Sequence, residues 1–501
     1  MKAVITMSSL EDIRNEIEAI DSMMLDLLKR RLNVVRQAGS EPLYSQAREA
    51  YVMNRTLPDG DNEYYQYYYR LQNLLFDLTE QYQNQLGKRN DPFLRENSDL
   101  SAFNDNVFAL SHQASLDRLQ NPDEVINATI GTLHDEEDNI VTYRSVYDAF
   151  NKIPDSRKAS YAEEISGNAS FRQAIYDWIN RNGELQMPHQ VIASAGGTGA
   201  LALGFSCFLQ DNDYILLPTP AWGNYRNMAR TANLNVENYQ LVNEKGEADL
   251  TDLMTKGIYV MKKCHKLVMV VNDPCQNPTG ISLSDQDWNN LVNYLNKMAG
   301  FGKVILMVDA AYLDYSNHDG RGFLKHLNSL NANVLVMLAF SCSKTMTAYG
   351  MRLGASVIIG RDQDEVDRIA GSFTKTARAL WSNVNNGAMD CFVEVSTALR
   401  RQFDDERQQC IELIRQRAEA FLTEAGKYGL PLFPYQDGFF CMLKIDDEVL
   451  LDKLHKALLA RHIYTVKFTG GLRIALCSLN LNDCRKLPAL LNQCLKEVLN
   501  G

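Results

Sequence analysis

Lys344 follows an apolar stretch whose pattern is typical of a buried strand. The stretch covers residues 334–338, and small or hydroxylated residues, among them Ser341, separate it from the lysine. Open α/β sheets carry their chemistry at the carboxyl ends of their strands, so this spacing places a primary amine where a reaction could occur. Taken alone, Lys344 could equally be an ordinary lysine that begins a surface loop, because most lysines are exposed. The neighbouring strands decide between these interpretations.

Polar residues end two other apolar runs in the same way. Asn277 lies in an Asn-Pro-Thr-Gly turn after the run 266–271, and Asp309 follows the run 304–308, with Tyr312 three residues further on. A rigid turn of this type directs the Asn277 amide into the crevice at the strand ends. An acid that ends a buried strand needs a cationic or hydrogen-bonding partner.

A glycine-rich turn connects the strand pattern of residues 191–195 with an apolar helix pattern. Residues 196–201 read Gly-Gly-Thr-Gly-Ala-Leu and include Gly197 and Thr198. Free N–H groups at the start of a helix bind anions, and glycines let a phosphate come close. The turn is neither G-x-G-x-x-G nor a Walker loop, so a monophosphate cofactor fits better than a dinucleotide or a nucleoside triphosphate.

Two more strand ends carry residues suited to contact with a ligand. Gly131 ends a short strand-like stretch, residues 125–130, where the backbone can approach a ligand closely. Trp222 follows the strand pattern of residues 214–218 and could stack on a flat ring. Packing in the core is the alternative for this tryptophan.

Together these motifs resemble the class I/II aminotransferases of fold type I, which use pyridoxal 5'-phosphate. The resemblance covers about residues 120–500 and depends on several motifs in a fixed order. The motifs are Asn277-Pro278-Thr279-Gly280, Asp309 with Tyr312, Ser341-Cys342-Ser343-Lys344, and Arg352. Within the family, the aspartate and aromatic aminotransferase branch is the more similar, through Ile130-Gly131, Gly197-Thr198-Gly199-Ala200-Leu201, Trp222, and Arg378-Ala379-Leu380-Trp381-Ser382-Asn383.

The resemblance implies a role for each residue around the cofactor ring. Lys344 would form the internal Schiff base and later move the proton between Cα of the substrate and C4' of the cofactor. Asp309 would keep the pyridine nitrogen protonated, so that the ring withdraws electrons. Asn277 and Tyr312 would hydrogen-bond the ring hydroxyl oxygen, and Trp222 would stack on the ring face.

Further implied roles concern the phosphate, the substrate and a second subunit. The phosphate would be held by Gly197, Thr198, Ser341 and Arg352. The substrate would lie against Gly131, and Arg473 would clamp its α-carboxylate in a bidentate pair. Arg378 would reach across a dimer and bind the side-chain carboxylate of the substrate, although this chain has Ala379 where the aspartate branch usually has proline. Tyr161 would reach the phosphate of the neighbouring subunit, which implies a homodimer with shared active sites.

Residues 1–95 show only helical patterns and predict a separate all-α domain. This domain resembles the helical chorismate mutase family through Arg14, Arg31 and Arg48, and arginines suit a dicarboxylate substrate. Pro42 and Ser45 stand where that family has a lysine and an acid. The domain is therefore either a mutase or a helical module for dimer contacts or regulation.

The charge and composition of the chain argue against several classes of binding partner. The formal charge of -11 argues against a nucleic-acid surface or an anionic membrane surface. No run approaches the roughly 20 apolar residues of a membrane span, so no membrane association is expected. The ten cysteines are scattered without a C-x-x-C pair, which predicts reduced core residues, no metal site and a cytoplasmic location.

The patterns predict an α/β protein of fold type I with an additional N-terminal helical domain. The aminotransferase unit is expected over residues 96–500, as a large domain of about residues 150–395 and a small domain built from about residues 100–149 and 396–500. The expected reaction moves an amino group between an acidic or aromatic L-amino acid and a 2-oxo acid.

Three rival functions stay open at this point. One is a non-catalytic regulator that only binds the cofactor, although the sequence shows no helix-turn-helix pattern or basic DNA-binding face. The same cofactor serves amino-acid lyases and decarboxylases, which sequence separates poorly from aminotransferases. Residues 341–344 also read S-x-x-K, a signature of acyl-serine hydrolases, but the companion motifs S-D-N and K-T-G are absent from the sequence.

Overall fold

The computed structural model of the protein describes residues 10–38, 71, 74, 75, 106–243, 249–318 and 320–500. The chain divides into two compact units, Met1–Asp99 and Leu100–Gly501. The predicted boundary at residue 95 lies outside the described residues, as do Pro42, Ser45 and Arg48.

In the first unit the structure describes one long helix, α1 (Leu10–Ala38). Arg14 and Arg31 lie on it 17 residues apart. At a rise of 1.5 Å per residue this spacing separates their backbones by about 26 Å. Two arginines at that distance in one chain cannot both bind the same small dicarboxylate. Several apolar side chains on this helix are exposed, namely Ile17, Ile20, Met24 and Leu27.

Strands and helices alternate through most of the second unit, which confirms the predicted α/β class. From residue 106 to 272 they are α2 (Asn106–Arg118), β1 (Ile126–Asn127), α3 (Arg144–Lys152), α4 (Asp155–Ala159), α5 (Ala169–Ile179), β2 (His189–Ala195), α6 (Gly196–Phe208), β3 (Tyr214–Thr219), α7 (Asn224–Thr231), β4 (Asn235–Gln240), α8 (Thr251–Cys264) and β5 (Lys266–Asn272).

The remaining elements begin with the same alternation, later include runs of successive helices and of successive strands, and end with a long helix. They are α9 (Asp285–Met298), β6 (Lys303–Asp309), α10 (Leu324–Leu327), β7 (Val334–Ser341), α11 (Cys342–Thr345), β8 (Leu353–Ile359), α12 (Gln363–Leu380), α13 (Asn386–Ser396), α14 (Arg400–Tyr428), β9 (Phe440–Lys444), α15 (Glu448–Leu459), β10 (Ile463–Tyr464), β11 (Val466–Phe468), β12 (Gly471–Ala475) and α16 (Leu481–Asn500). None of the helices that the structure describes is long and apolar enough to cross a membrane.

A seven-stranded sheet forms the centre of this unit, in the order β2-β8-β7-β6-β5-β3-β4. All neighbouring strands are parallel except β8, which runs antiparallel to both β2 and β7. The register pairs Asn272 with Asp309 and Asp309 with Ala339. The ends of β5, β6 and β7 therefore lie side by side at one edge of the sheet.

The apolar strands form because helices cover both faces of this sheet. In β5, Met269 and Val271 pack into one core cluster, whereas Val268 and Val270 pack into a second. Successive side chains of a strand point to opposite faces, and so a strand that is buried on both sides reads as one continuous apolar run.

Two smaller sheets complete the unit. The antiparallel order β11-β12-β9 pairs Arg473 with Met442, and β1 pairs in parallel with β10. The backbone N–H of Ala475 also donates to the carbonyl oxygen of Ala128 at 3.0 Å. These contacts bring the segment before residue 150 against the C-terminal strands and place Arg473 near Thr129.

Candidate active site

Lys344 lies in the short helix α11, directly after β7. Its Nζ donates a hydrogen bond to the carbonyl oxygen of Gly131 at 2.6 Å. The rings of Tyr312, Tyr349 and Phe439 have their centres between 4.8 and 5.5 Å from the same nitrogen. The structure thus brings Gly131, Tyr312 and Lys344 together, and it surrounds the amine with aromatic rings.

These surroundings favour the neutral form of the amine. The pKa of Lys344 is lowered to about 8, chiefly by burial and also by the positive charges of Arg473 and Arg352. With a pKa of about 8, roughly one amine in ten is neutral at pH 7, whereas an ordinary lysine is almost wholly protonated. A neutral amine is the form that can attack a carbonyl carbon or accept a proton.

Asp309 ends β6 and is 5% exposed. Its carboxylate accepts a hydrogen bond from the hydroxyl of Tyr225 at 2.5 Å and another from the backbone N–H of Ala311 at 3.2 Å. Burial raises the pKa of Asp309 to about 6, and the hydrogen bond from Tyr225 is the largest effect in the opposite direction. A buried carboxylate in this condition is stabilised by a cation placed beside it.

The turn after β5 is fixed to the neighbouring strand end by hydrogen bonds. The side-chain amide of Asn272 donates to the carbonyl oxygen of Asp309 at 2.8 Å, and the N–H of Asn277 donates to the Asn272 side chain at 2.8 Å. The side-chain oxygen of Asn277 in turn accepts from Nη1 of Arg473 at 3.2 Å. The turn therefore holds Asn277 between the edge of the large sheet and β12.

Arg473 is 3% exposed on β12. It donates from Nη2 to the carbonyl oxygen of Thr129, and its guanidinium carbon lies 4.3 Å from the ring centre of Phe440. A Cβ added at Gly131 would come within 2.7 Å of that same ring. Arg473, Phe440 and Gly131 consequently lie next to one another beside Lys344.

The glycine turn at the start of α6 meets Ser341 and Arg352. A Cβ on Gly196 would lie 2.5 Å from Nη2 of Arg352, and a Cβ on Gly197 would lie 3.0 Å from Cβ of Ser341. Gly196 also has a φ of 72°, a conformation that glycine adopts without strain. Thr198 is half-buried within the same first turn. Helix N–H groups, a hydroxyl and an arginine are together suited to a phosphate.

Trp222 lies half-buried just after β3, so a full core position is excluded. Its ring centre is 5.5 Å from that of Tyr225, and the two planes meet at 86°. Tyr225, which donates its hydroxyl to Asp309, is a candidate site residue that the sequence interpretation missed. Its signal was its position three residues after Trp222, at the start of α7.

Besides Arg352, two predicted site residues are exposed in the single chain, Tyr161 and Arg378. Tyr161 is 81% exposed. Arg378 is also exposed, near the end of α12, and donates from Nη1 to the hydroxyl of Ser382 at 2.5 Å. Neither position contradicts a role across a dimer interface, which stays a prediction.

The residues around Lys344 fit pyridoxal 5'-phosphate. A protonated ring nitrogen would supply the cation that the buried Asp309 needs. The turn at Gly196 and Gly197 with Arg352 offers the donors that a phosphate needs, and the amine of Lys344 has the lowered pKa that bonding to an aldehyde carbon requires.

Comparison with known proteins identifies one family. The family model for aminotransferase class I and II matches residues 123–489. An aspartate aminotransferase of Pseudomonas aeruginosa is 26% identical over 319 residues, which cover 61% of this chain and 77% of the relative. The mitochondrial aspartate aminotransferase of Gallus gallus is 23% identical over 339 residues, which cover 64% and 78% of the two chains.

Solved structures agree with this match. An aminotransferase from Anaerococcus prevotii superposes with a TM-score of 0.78 at 27% identity, over 80% of this chain and 99% of that one. An aromatic-amino-acid aminotransferase from Burkholderia pseudomallei, covalently bound to pyridoxal phosphate, has the same fold, with a TM-score of 0.64 at 22% identity over 79% and 99% of the two chains.

Proposed function

The chain belongs to the aminotransferase class I and II family, and we propose that it exchanges an amino group between an acidic or aromatic L-amino acid and a 2-oxo acid. Family membership makes it a pyridoxal 5'-phosphate-dependent aminotransferase. The lyase and decarboxylase alternative is not favoured, because the relatives and structures that match are aminotransferases. The proposed substrates follow from relatives that are named for aspartate and for aromatic amino acids.

The substrate proposal rests on the position of Arg473 relative to Lys344. Arg473 is buried beside Asn277, and its guanidinium lies against the ring of Phe440, which adjoins Gly131. An amino acid whose α-carboxylate is bound by Arg473 would therefore present its Cα towards the amine of Lys344, which itself contacts Gly131. The surrounding aromatic rings can accept a flat side chain.

The chemistry supplied by bound pyridoxal 5'-phosphate is an aldehyde carbon that takes up an amine and a ring that withdraws electrons. Lys344 would hold the cofactor covalently and, once its amine is released, would carry a proton to and from Cα of the substrate. Asp309, oriented by Tyr225, would hold the proton at the ring nitrogen. Arg473 would fix the α-carboxylate, so that the Cα–H bond faces Lys344.

Other residues would bind and orient without moving protons. We assign the phosphate to the N–H groups at Gly197 and Thr198, the hydroxyl of Ser341 and the guanidinium of Arg352. The ring face would lie against Trp222, and the ring hydroxyl would be hydrogen-bonded by Asn277 and Tyr312. Tyr161 and Arg378 would act in the site of a second subunit, so a homodimer is part of the proposal.

A donor and acceptor screen tests the function. With 2-oxoglutarate as acceptor, we expect each turnover of L-aspartate or L-phenylalanine to yield one equivalent of the 2-oxo acid product. Release of ammonia or carbon dioxide in its place would contradict amino transfer. Arg378→Ala should raise KM for L-aspartate more than for L-phenylalanine, while Arg368→Ala, an exposed arginine on the same helix, should change neither. Equal effects of Arg378→Ala on both donors would remove its assigned role.

A further inference from the structure

A cavity of about 300 Å³ lies between the loop that follows Tyr312 and helix α14. Arginines from three separate segments line it, and none of the residues proposed above for the cofactor or the substrate does. Its charged lining residues are Arg181, Arg321, Arg407, Arg415, Asp314 and Glu412. The volume is at the lower end of the range for small-molecule sites, which begins at about 300 Å³.

Three of the four lining arginines have carboxylate partners. Arg321 pairs with Asp314, Arg407 with Asp404, and Arg415 with both Glu412 and Glu419. Arg181 lines the cavity and forms no ion pair with the residues that the structure describes. Cationic groups that converge on a concave surface attract small anions and raise their local concentration.

Asp314 is wholly engaged by its present partners. Its carboxylate accepts hydrogen bonds from Nη2 of Arg321 at 2.5 Å, from the hydroxyl of Thr345 at 2.6 Å and from Nε1 of Trp178 at 3.0 Å. Burial alone would raise the pKa of Asp314, but the charges of Arg321 and Arg407 hold it well below its usual range. Asp314 therefore stays ionised and is committed to this network.

Arg407 retains donor capacity despite being 6% exposed. It donates from Nη2 to Asp404 at 2.7 Å and from Nη1 to the carbonyl oxygen of Asp314 at 3.2 Å. Its Nε is buried and has no hydrogen-bond acceptor among the residues that the structure describes. An unpaired buried donor on a charged group is costly, and an oxygen of a bound anion would relieve that cost.

The guanidinium groups are held together by an aromatic ring. The guanidinium carbons of Arg400, Arg407 and Arg321 lie 4.6, 5.4 and 5.9 Å from the ring of Trp178. Arg181, one turn further along from Trp178, is exposed at the cavity. Partial burial lowers the pKa of Arg181, and the charges of Arg321 and Arg407 lower it further, because the three cations repel one another.

We propose that this cavity binds a small anion carrying a phosphate or carboxylate group, separately from the active site. Nε of Arg407 and the guanidinium group of Arg181 donate to its oxygens, because arginine N–H groups match the oxygens of both groups. The ligand class follows from the unpaired Nε of Arg407, the cation of Arg181 and the small volume. A purely structural cluster that braces α14 is the competing explanation.

The test uses Arg181, because it is exposed and does not pair with Asp314. Substitution of Asp314, Arg321 or Arg407 would disturb Thr345, the residue after Lys344. Calorimetric titrations are made on the enzyme loaded with pyridoxal 5'-phosphate, with inorganic phosphate in one series and succinate in another. Potassium chloride at matched ionic strength is the blank, and unchanged kcat of each variant shows that it is folded.

We expect at least one of the two anions to bind the wild type, and the Arg181→Gln variant to bind it at least tenfold more weakly. Arg401→Gln, which replaces an exposed arginine on α14 outside the cavity, should bind as the wild type does. The anion whose affinity depends on Arg181 identifies phosphate or carboxylate as the natural ligand group. Absence of binding to the wild type, unchanged affinity in Arg181→Gln, or an equal loss in Arg401→Gln would overturn the proposal.

Discussion

Tyr225→Phe removes a single hydroxyl whose only described hydrogen bond is to the buried carboxylate of Asp309, at 2.5 Å. A hydrogen bond to a charged group contributes about 1.5–3 kcal/mol. Because one pKa unit corresponds to about 1.4 kcal/mol, the loss should raise the pKa of Asp309 in the cofactor-free protein from about 6 to roughly 7–8. At pH 7 half or more of this acid would then be protonated in the cofactor-free protein, and a neutral carboxyl stabilises a protonated ring nitrogen less than a carboxylate does.

The measurement is the single-turnover rate of the L-aspartate half-reaction from pH 6 to pH 9. We expect Tyr225→Phe to slow it about 10- to 100-fold at pH 7, since 1.4 kcal/mol is a factor of ten, and to recover part of the loss at higher pH. Tyr239→Phe is the matched control, because Tyr239 is equally buried but donates to the backbone carbonyl of Val270 at 2.9 Å. It should lower the free energy of unfolding by about 1 kcal/mol and leave the pH profile unchanged. A rate for Tyr225→Phe within twofold of the wild type across this range would refute the reasoning.

Three further predictions concern other parts of the chain. The rate at which the cofactor-free protein forms the visible absorbance band with pyridoxal 5'-phosphate should rise with pH and level off above about 8, because the amine of Lys344 loses its proton there; a rate that keeps rising through pH 9 without levelling off would show that its pKa is not lowered. In the cofactor-free protein the pKa of Asp309 is about 6, whereas the ordinary value is 3.8. Ionisation of this buried carboxyl therefore lowers the free energy of unfolding by about 3 kcal/mol above pH 6, and this loss is absent below pH 4. Asp309→Asn should therefore unfold at a higher denaturant concentration than the wild type at pH 7 and at a similar one at pH 4, and it should bind the cofactor more weakly. Equal stability of the two proteins at pH 7 would contradict the burial argument. If the N-terminal domain is a mutase, the full chain should convert chorismate to prephenate and Arg14→Ala should abolish the conversion without altering transaminase kinetics, whereas an inactive wild type would leave a regulatory or dimer-forming domain.

The strand-end residues were predictable because apolar runs and turns are local signals. Asp309, Asn277 and Lys344 each follow a run that is buried on both faces, and parallel strands bring such ends to one edge. The antiparallel direction of β8 could not be deduced in this way, since its residues are as apolar as those of the parallel strands. Helix α2 was not predicted either, because residues 106–118 show a mixed polar pattern with no clear apolar face.

Residues whose roles depend on distant partners escaped prediction. Tyr225 resembles an ordinary core tyrosine until the structure shows its hydroxyl at Asp309. The arginine cluster around Trp178 is assembled from residues 178–181, 314–321 and 400–415, and no spacing in the sequence connects these segments. Arg473 was identified only through the family resemblance, and the structure supplies its physical context, the ring of Phe440 and the side chain of Asn277.

The central claim is that the amine of Lys344 holds the cofactor and carries the proton. The most direct measurement compares wild type and Lys344→Ala after loading with pyridoxal 5'-phosphate, by borohydride reduction followed by peptide mapping and by the rate of amino transfer. The wild type should carry the reduced cofactor on the peptide that contains Lys344. Lys344→Ala should remain folded, bind the cofactor without a covalent bond and show no measurable transfer. Label on another lysine in the wild type, or appreciable turnover by Lys344→Ala, would contradict the account.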